Sequence, residues 1–378
     1  MSNAQSRGVM EPFKNLFNKS VAENIADAVK RNYSAFNKKA FLKNIDKELD
    51  KLELKGRVHF LAVRLHDYLP KELGESIHFL LGALKQNEKD HQGISGMAVW
   101  PLTHFVSLYG LENFELSMLA LKEMTKEFTS EFAVRPFFVK DQKKVMKFFK
   151  EWVDDESEHV RRWVSEGSRP LLPWGMKLQD FVSDPELTWI FLEKLKNDPS
   201  EYVRKSVANH INDHSKNHPD FVVEKLLEWH KSNNKSDDLS WIIKHASRSL
   251  IKKGNKKAFQ LHGVESFNIK VVEQKILSKK VKIGEVLRVS ITLQNASNKK
   301  AQIILDHDIH LLRANGKHNV KVFKGKKMLL LPKEKIQIKL SIPFKVVTTR
   351  AYYPGKHFWN VKINGTSELP LPFQLSLK

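Results

Sequence analysis

From Lys14 to about Lys253 the apolar residues recur at three- and four-residue spacings, as in Leu61, Leu65 and Leu69 and in Phe191, Leu192 and Leu195. This is the period of helices with one buried face. Proline and glycine fall between the periodic blocks, at Pro70, Pro101, Gly110, Pro136, Pro185, Pro199 and Pro219, where they delimit helices without interrupting them. The pattern predicts an array of many short helices. Three segments, "DDESEHVRRWVSEG" (154–167), "NDPSEYVRKSVANH" (197–210) and "SDDLSWIIKHASRS" (236–249), place acidic and polar residues ahead of an aromatic or apolar residue and a cation. Val160, Val203 and Ile243 within them are separated by 43 and 40 residues. That interval suits two- or three-helix solenoid units of the HEAT type, which bury a continuous core by stacking and leave a concave face.

After Gly254 the period changes to two. Leu287, Val289, Ile291 and Leu293 alternate with Arg288, Ser290, Thr292 and Gln294, and Ile336, Ile338, Leu340 and Ile342 alternate with polar residues. Turn clusters at Asn295–Asn298, Asn315-Gly316, Lys324–Lys327, Pro354-Gly355 and Asn364-Gly365 separate about seven such runs over roughly 115 residues. The expected architecture is multidomain: an all-α HEAT-like repeat solenoid over 11–255, then an all-β immunoglobulin-like sandwich over 264–378. "KKGNKKAFQLHG" (252–263) is the expected junction.

The length of 378 residues, with 41% hydrophobic and 28% charged, agrees with two domains or one repeat array, and no apolar run is long enough for a membrane span. The chain has no cysteine, which excludes disulfides, thiolate zinc sites, iron–sulfur clusters, zinc-dependent base deaminases and thiol methyl acceptors. Ser2-Asn3-Ala4 looks like a cloning scar with no apolar segment behind it, so a cytoplasmic protein is expected. The net charge of +21 implies a polyanionic partner. Its distribution is uneven: residues 261–378 hold 22 Lys/Arg against 7 Asp/Glu, a net +15, while residues 1–260 hold 42 against 36. A field of that kind attracts phosphates in a salt-dependent, sequence-independent way. Lys321, Lys339 and Lys362 at polar positions of alternating strands suggest a basic sheet face or rim, and the Lys324–Lys327 turn could reach a groove.

The densest chemical cluster is "HVRRWVSEGSRPLLPWG" (159–175), where Glu166 closes a helix among Arg161, Arg162 and Arg169 and a Pro-bracketed loop presents Trp174. Arginines can grip phosphates bidentately, an indole can face a cation, and a carboxylate can stabilise positive charge on a sugar. Against this stands a plainer reading, with Trp163 and Trp174 as core anchors and Glu166 salt-bridged at the surface. In "TSEFAVRPFF" (129–138), Glu131 stands four residues before Arg135, the spacing of an ordinary helical ion pair. Asp213 ends the 203–213 helix between His210 and His214. His218-Pro219-Asp220, with His262, superficially offers the ligand set of an iron oxygenase, but Pro and Asp are what a helix N-terminus requires. "DHDIH" (306–310) lies in an alternating strand, and no nucleotide-binding glycine loop, nucleophile elbow or HExxH motif is present.

At "SEFAVRPF", "HVRRWVSEGSRPLLPWG" and "VRKSVANHINDHSKNHP" the chain resembles the AlkC branch of the bacterial AlkC/AlkD DNA alkylation-repair glycosylases, from near Phe13 to about Gly254. The remainder is similar to the immunoglobulin-like C-terminal domain of some members. The resemblance implies a monomeric solenoid cradling duplex DNA and excising cationic alkylated bases, 3-methyladenine and 3-methylcytosine, without cofactor or metal and without full base flipping. It implies no membrane and no obligate protein partner. It places the catalytic acids on Glu131, Glu166 and Asp213, the lesion-contacting aromatic on Trp174, and supporting cations on Arg162 and Arg169. Charge makes Arg162, Arg169, Arg161, Lys324, Lys326 and Lys327 the expected DNA contacts. The rival class is a non-catalytic HEAT scaffold for DNA or protein.

Overall fold

A computed structural model describes residues 12–86, 89–232, 236–262, 268–346 and 351–377. The Ser2-Asn3-Ala4 segment and the expected domain limits at 11 and 264 lie outside the described residues. The chain divides into two compact units, Met1–Asn217 and His218–Lys378.

The first unit is helical, and proline opens its helices as the pattern predicts. Pro101 and Pro136 stand in the first turns of Trp100–Tyr109 and Arg135–Trp152, where a missing N–H leaves no hydrogen bond unmade. Two pairings position the site: helix Leu54–Tyr68 packs on Trp100–Tyr109, and Glu158–Gly167 packs on Glu201–His214. The second pair closes over Val160, Trp163, Val164, Val203, Val207 and Ile211, all fully buried. Trp163 stacks on Trp152 at 5.4 Å and meets Phe149 edge-on at 5.3 Å. Burying side chains of this size stabilises by roughly 2–3 kcal/mol each, which fixes the axial position of Glu158–Gly167 and hence of Glu166 at its end.

The second unit opens with helices Pro219–Ser232, Asp237–Ala246, Arg248–Lys253 and Lys256–Gln260. Pro219 and Asp220 start the first of these, so His218-Pro219-Asp220 is a helix entry. Nine strands follow among the described residues: β1 (Ile269–Ile276), β2 (Lys280–Lys282), β3 (Val286–Asn295), β4 (Ala301–Leu312), β5 (His318–Leu330), β6 (Lys335–Pro343), β7 (Gly355–Ile363), β8 (Thr366–Ser367) and β9 (Leu371–Ser376). Seven are long, and the short β2 and β8 carry too few residues for a period to register. The order β1-β3-β6 forms one sheet and β2-β9-β7-β4-β5 the other, with β8 paired to β7. All pairings are antiparallel except β2 with β9. Leu287, Val289, Ile291 and Leu293 face Ile303, Leu305, Trp359 and Val361 in a common core. Asn364 (φ 47°) and Gly365 (φ 78°) form the tight β7–β8 turn, the backbone that Asn-Gly favours.

One expected turn is a strand. Lys324–Lys327 lies inside β5, at a bulge opposite Leu305 and His307 of β4. Gly325 makes the bulge possible: an added Cβ there would stand 1.9 Å from the Leu305 carbonyl oxygen, and its N–H donates to Asp306 Oδ1 at 3.0 Å. Lys327 Nζ donates to the His262 carbonyl at 2.8 Å and Lys362 Nζ to that of Lys252 at 3.0 Å, so the last helices lie against this sheet. Gly254 and Gly365 meet there too closely for any side chain, beside the Phe259 ring. The three lysines expected to share a face are thus dispersed, with Lys339 exposed on β6, Lys321 exposed on β5 and Lys362 buried against the helices.

Candidate active site

Glu166 sits one residue before the end of helix Glu158–Gly167 and is 5% exposed. Its Oε1 accepts from Arg169 Nη1 at 2.6 Å and lies 3.4 Å from Arg162 Nη2, while Oε2 accepts from the Ser206 hydroxyl at 2.6 Å. Arg162 reaches the other way to Glu131, donating from Nη1 to Oε2 at 2.5 Å, an oxygen that also accepts from Thr129 Oγ1 at 3.1 Å. Arg169 donates from Nε to Asp213 Oδ2 at 2.8 Å, and Lys216 Nζ donates to Oδ1 at 2.8 Å. The three expected acids therefore converge in one row in which carboxylates and guanidinium groups alternate: Glu131, Arg162, Glu166, Arg169, Asp213. Arg162 also lies under the Tyr202 ring at 4.9 Å.

The charges are unequally settled. Burial pushes Glu166 up, but Arg162, Arg169 and the Ser206 hydroxyl together outweigh it and hold the carboxyl below the usual range. For Glu131 burial prevails: Arg162 pulls it down, the Glu166 charge pushes it up, and the net shift is upward. Burial works against both Arg162 and Arg169, yet their carboxylate neighbours raise both. Glu166 is thus a fixed anion and Glu131 the acid nearer to accepting a proton.

Trp174 occupies the tip of the loop after Arg169. It is 66% exposed and has φ +63°, a left-handed backbone that costs a side-chain-bearing residue about 1 kcal/mol or more. The loop is held from beneath. Arg135, buried, donates to the carbonyls of Gly167 (3.1 Å), Arg169 (2.9 Å) and Met176, and Lys55 Nζ donates to the carbonyl of Trp174 itself. Burial, with the neighbouring Arg169 charge, brings Arg135 down to about 10, so it stays cationic at neutral pH. The helical ion pair read between Glu131 and Arg135 is not formed. Glu131 belongs to Arg162, and Arg135 fastens the loop. Of the plainer readings, Trp163 is the core anchor, whereas Trp174 is exposed and Glu166 is buried.

Arg161 does not join the row. It points to the other side of its helix and clasps Asp198 through Nε (2.7 Å) and Nη2 (3.0 Å), with Nη1 on the carbonyls of Asp155 and Glu156. His210 and His214 share the Thr188 hydroxyl at 3.2 and 2.9 Å, and burial drives His210 well below the ordinary histidine value. His210 is thus held as a neutral ring. Among the described residues no three His, Cys, Asp or Glu side chains are grouped to hold a metal ion. Sequence reading missed Ser206, Tyr202, Lys216, Arg135 and Lys55. The first two had a signal: Tyr202, Ser206 and Asp213 recur on one helix face just as Arg162 and Glu166 do on theirs. Lys55 had none, since 119 residues separate it from its partner.

The chain is similar to known proteins over nearly its whole length. A family model described as the C-terminal Ig-like domain of the uncharacterised protein YhaZ matches residues 270–377. The YhaZ protein of Bacillus subtilis (strain 168), described as uncharacterized, is 37% identical over 368 residues, which is 97% of this chain and 100% of that one. A solved structure of Pseudomonas fluorescens alkylpurine DNA glycosylase AlkC, bound to DNA containing an abasic site analog, is similar with a TM-score of 0.88 at 34% identity, covering 97% of this chain and 100% of that one.

Proposed function

The chain belongs to the AlkC family, and from that membership we propose that it is a DNA glycosylase acting on alkylated bases in DNA. In the finer reading it hydrolyses the N-glycosidic bond of cationic lesions, 3-methyladenine and 3-methylcytosine, in duplex DNA, as a monomer and without full base flipping. Working on chromosomal DNA, it acts in the cytoplasm. The observation that carries the reading is the buried row of three carboxylates spaced by arginines beside the exposed Trp174.

The chemistry follows from charge. A base alkylated at a ring nitrogen already carries a positive charge and leaves as a neutral molecule, so no general acid or metal is needed to drive its departure. Positive charge then builds on the sugar, where a carboxylate that stays ionised is most useful. Glu166 has that property, because two guanidinium groups and a hydroxyl fix it in place before substrate arrives. Glu131, with its raised affinity for protons, takes the proton from the attacking water. Asp213 holds Arg169 against Glu166, and Trp174 offers an indole face to the cationic base, worth about 0.5–2 kcal/mol. Arg162 and Arg169 serve the carboxylates, and Arg161 serves Asp198, so phosphate contacts fall to exposed lysines such as Lys324 and Lys326.

The deciding experiment is release of free 3-methyladenine and 3-methylcytosine from methylated duplex DNA, with chelator present, by the intact chain and by Glu166→Gln. The variant should excise roughly 10²–10³-fold more slowly, with DNA affinity nearly unchanged. A DNA-binding scaffold would bind alkylated and undamaged duplexes equally and release no base.

A further inference from the structure

Under the Trp174 loop lies a cleft of about 210 Å³ that the acidic row does not use. Its flat walls come from Trp174, Phe132 and Trp100, the last two stacked at 5.2 Å and 21°. Its polar groups are Lys55, His104, Ser107 and Arg135, and among the described residues no carboxylate lines it. His104 Nε2 stands 3.2 Å from His59 Nδ1, and Lys55 Nζ lies 5.6 Å over the Phe132 ring while donating to the Trp174 carbonyl. Burial, with the His59 and Lys55 charges, brings His104 down to about 4, so it presents a neutral imidazole. The cleft is therefore aromatic, carries neutral hydrogen-bonding groups, and is bordered by two cations.

We propose that this cleft is a holding site for the released base: it takes a planar, uncharged nitrogen heterocycle against the Trp174 and Phe132 faces and rejects the cationic form of the same ring. The inference rests on the glycosylase reading. When the glycosidic bond breaks, its electron pair goes to the ring nitrogen, so the base loses its positive charge. Water supplies oxygen to the sugar carbon, and its proton is taken up by a carboxylate. Before cleavage the cationic base is drawn to Glu131, Glu166 and Asp213 and repelled by Lys55 and Arg135. After cleavage the attraction is gone, the repulsion is gone, and stacking and hydrogen bonding to His104 and Ser107 remain. The base's loss of charge thus gives its departure a direction, away from the carboxylates and into a cleft that among the described residues has none in its lining.

The test is titration of free 3-methyladenine into the full chain at pH 8, followed by calorimetry and by saturation-transfer NMR, neither of which requires turnover. Saturable binding with Kd on the order of 0.1–1 mM is expected for a ligand this small. A permanently cationic dimethyladeninium should bind at least about tenfold more weakly, given two nearby cations. His104→Leu and Ser107→Ala should each weaken binding by about fivefold or more, with melting curves confirming folding; the milder Ser107→Ala serves if His104→Leu does not fold. Absence of saturable binding, equal or tighter binding of the cation, or unchanged affinity in both variants would overturn the proposal. Displacement of the base by inorganic phosphate would do so too, by identifying Lys55 and Arg135 as a phosphate seat. Excision without base binding removes this inference alone, whereas failure of excision from methylated DNA removes the glycosylase reading whatever the free base does.

Discussion

At the scale of single residues, neighbouring carboxylates of the candidate site are made unlike. Glu166 has its carboxyl held below the usual range, so the stability it contributes is present above the ordinary carboxylate value and is lost as pH falls through its lowered one. Glu131 is raised, so it protonates first on acidification, and its preference for the neutral form is lost as pH rises through the raised value. The single-turnover excision rate should therefore fall along an acid limb above the usual carboxylate range. Residual activity of Glu131→Gln should show that limb moved to lower pH, where Glu166 titrates; an unmoved limb would assign it to another group. Trp174 invites a second measurement. Its left-handed backbone suits glycine better than tryptophan, and the indole is mostly exposed, so Trp174→Gly should leave the melting temperature unchanged or raise stability by up to about 1 kcal/mol while excision is lost. A large loss of stability would mean that the indole is there for packing. Glu166 and Trp174 were legible in the sequence because they lie in one compact run. Arg135 was legible only as a neighbour of Glu131, since nothing local reveals that its partners are carbonyls 32 to 41 residues away.

Among secondary-structure elements, what could be read was whatever repeats. Helical spacing up to Lys253 and alternation in β3 and β6 gave the two architectures because both periods express burial on one face. The failure at Lys324–Lys327 has a physical cause. Lysine and glycine in succession read as a turn, but a bulge needs the same residues: one without a side chain, flanked by residues that tolerate solvent. Gly325→Val should thus be severely destabilising, since its side chain would meet the Leu305 carbonyl oxygen. We expect a loss of about 3 kcal/mol or more, read as a lower urea midpoint for the sandwich. A variant with an unchanged midpoint would show that the bulge can migrate along β5.

For the molecule as a whole, charge and covalent order divide differently. The outer face of β1-β3-β6 carries Lys270, Lys275, Arg288, Lys335 and Lys339, in rows set by the pairs Lys270↔Gln294↔Lys335 and Lys275↔Ser290↔Lys339. If this face lies on phosphates, converting Lys270, Lys335 and Lys339 to Gln should reduce the slope of log affinity against log salt by about 2–3, near 0.9 for each phosphate no longer neutralised. The same slope change from Lys324 and Lys326 instead would place the DNA backbone on β5. The change in period sets the expected boundary between 255 and 264, and the helices just before it pack on the sheet beyond it. The seam of Lys362 on Lys252, Lys327 on His262, and Gly365 against Gly254 and Phe259 joins the last helices to the sheet. That seam bears on descent. A recombination that lost the sandwich alone would leave the Gly254–His262 surface uncovered, so any lineage without it should carry polar residues at the positions of Phe259 and Leu261 and should have no need of glycine at 254 to admit a neighbour.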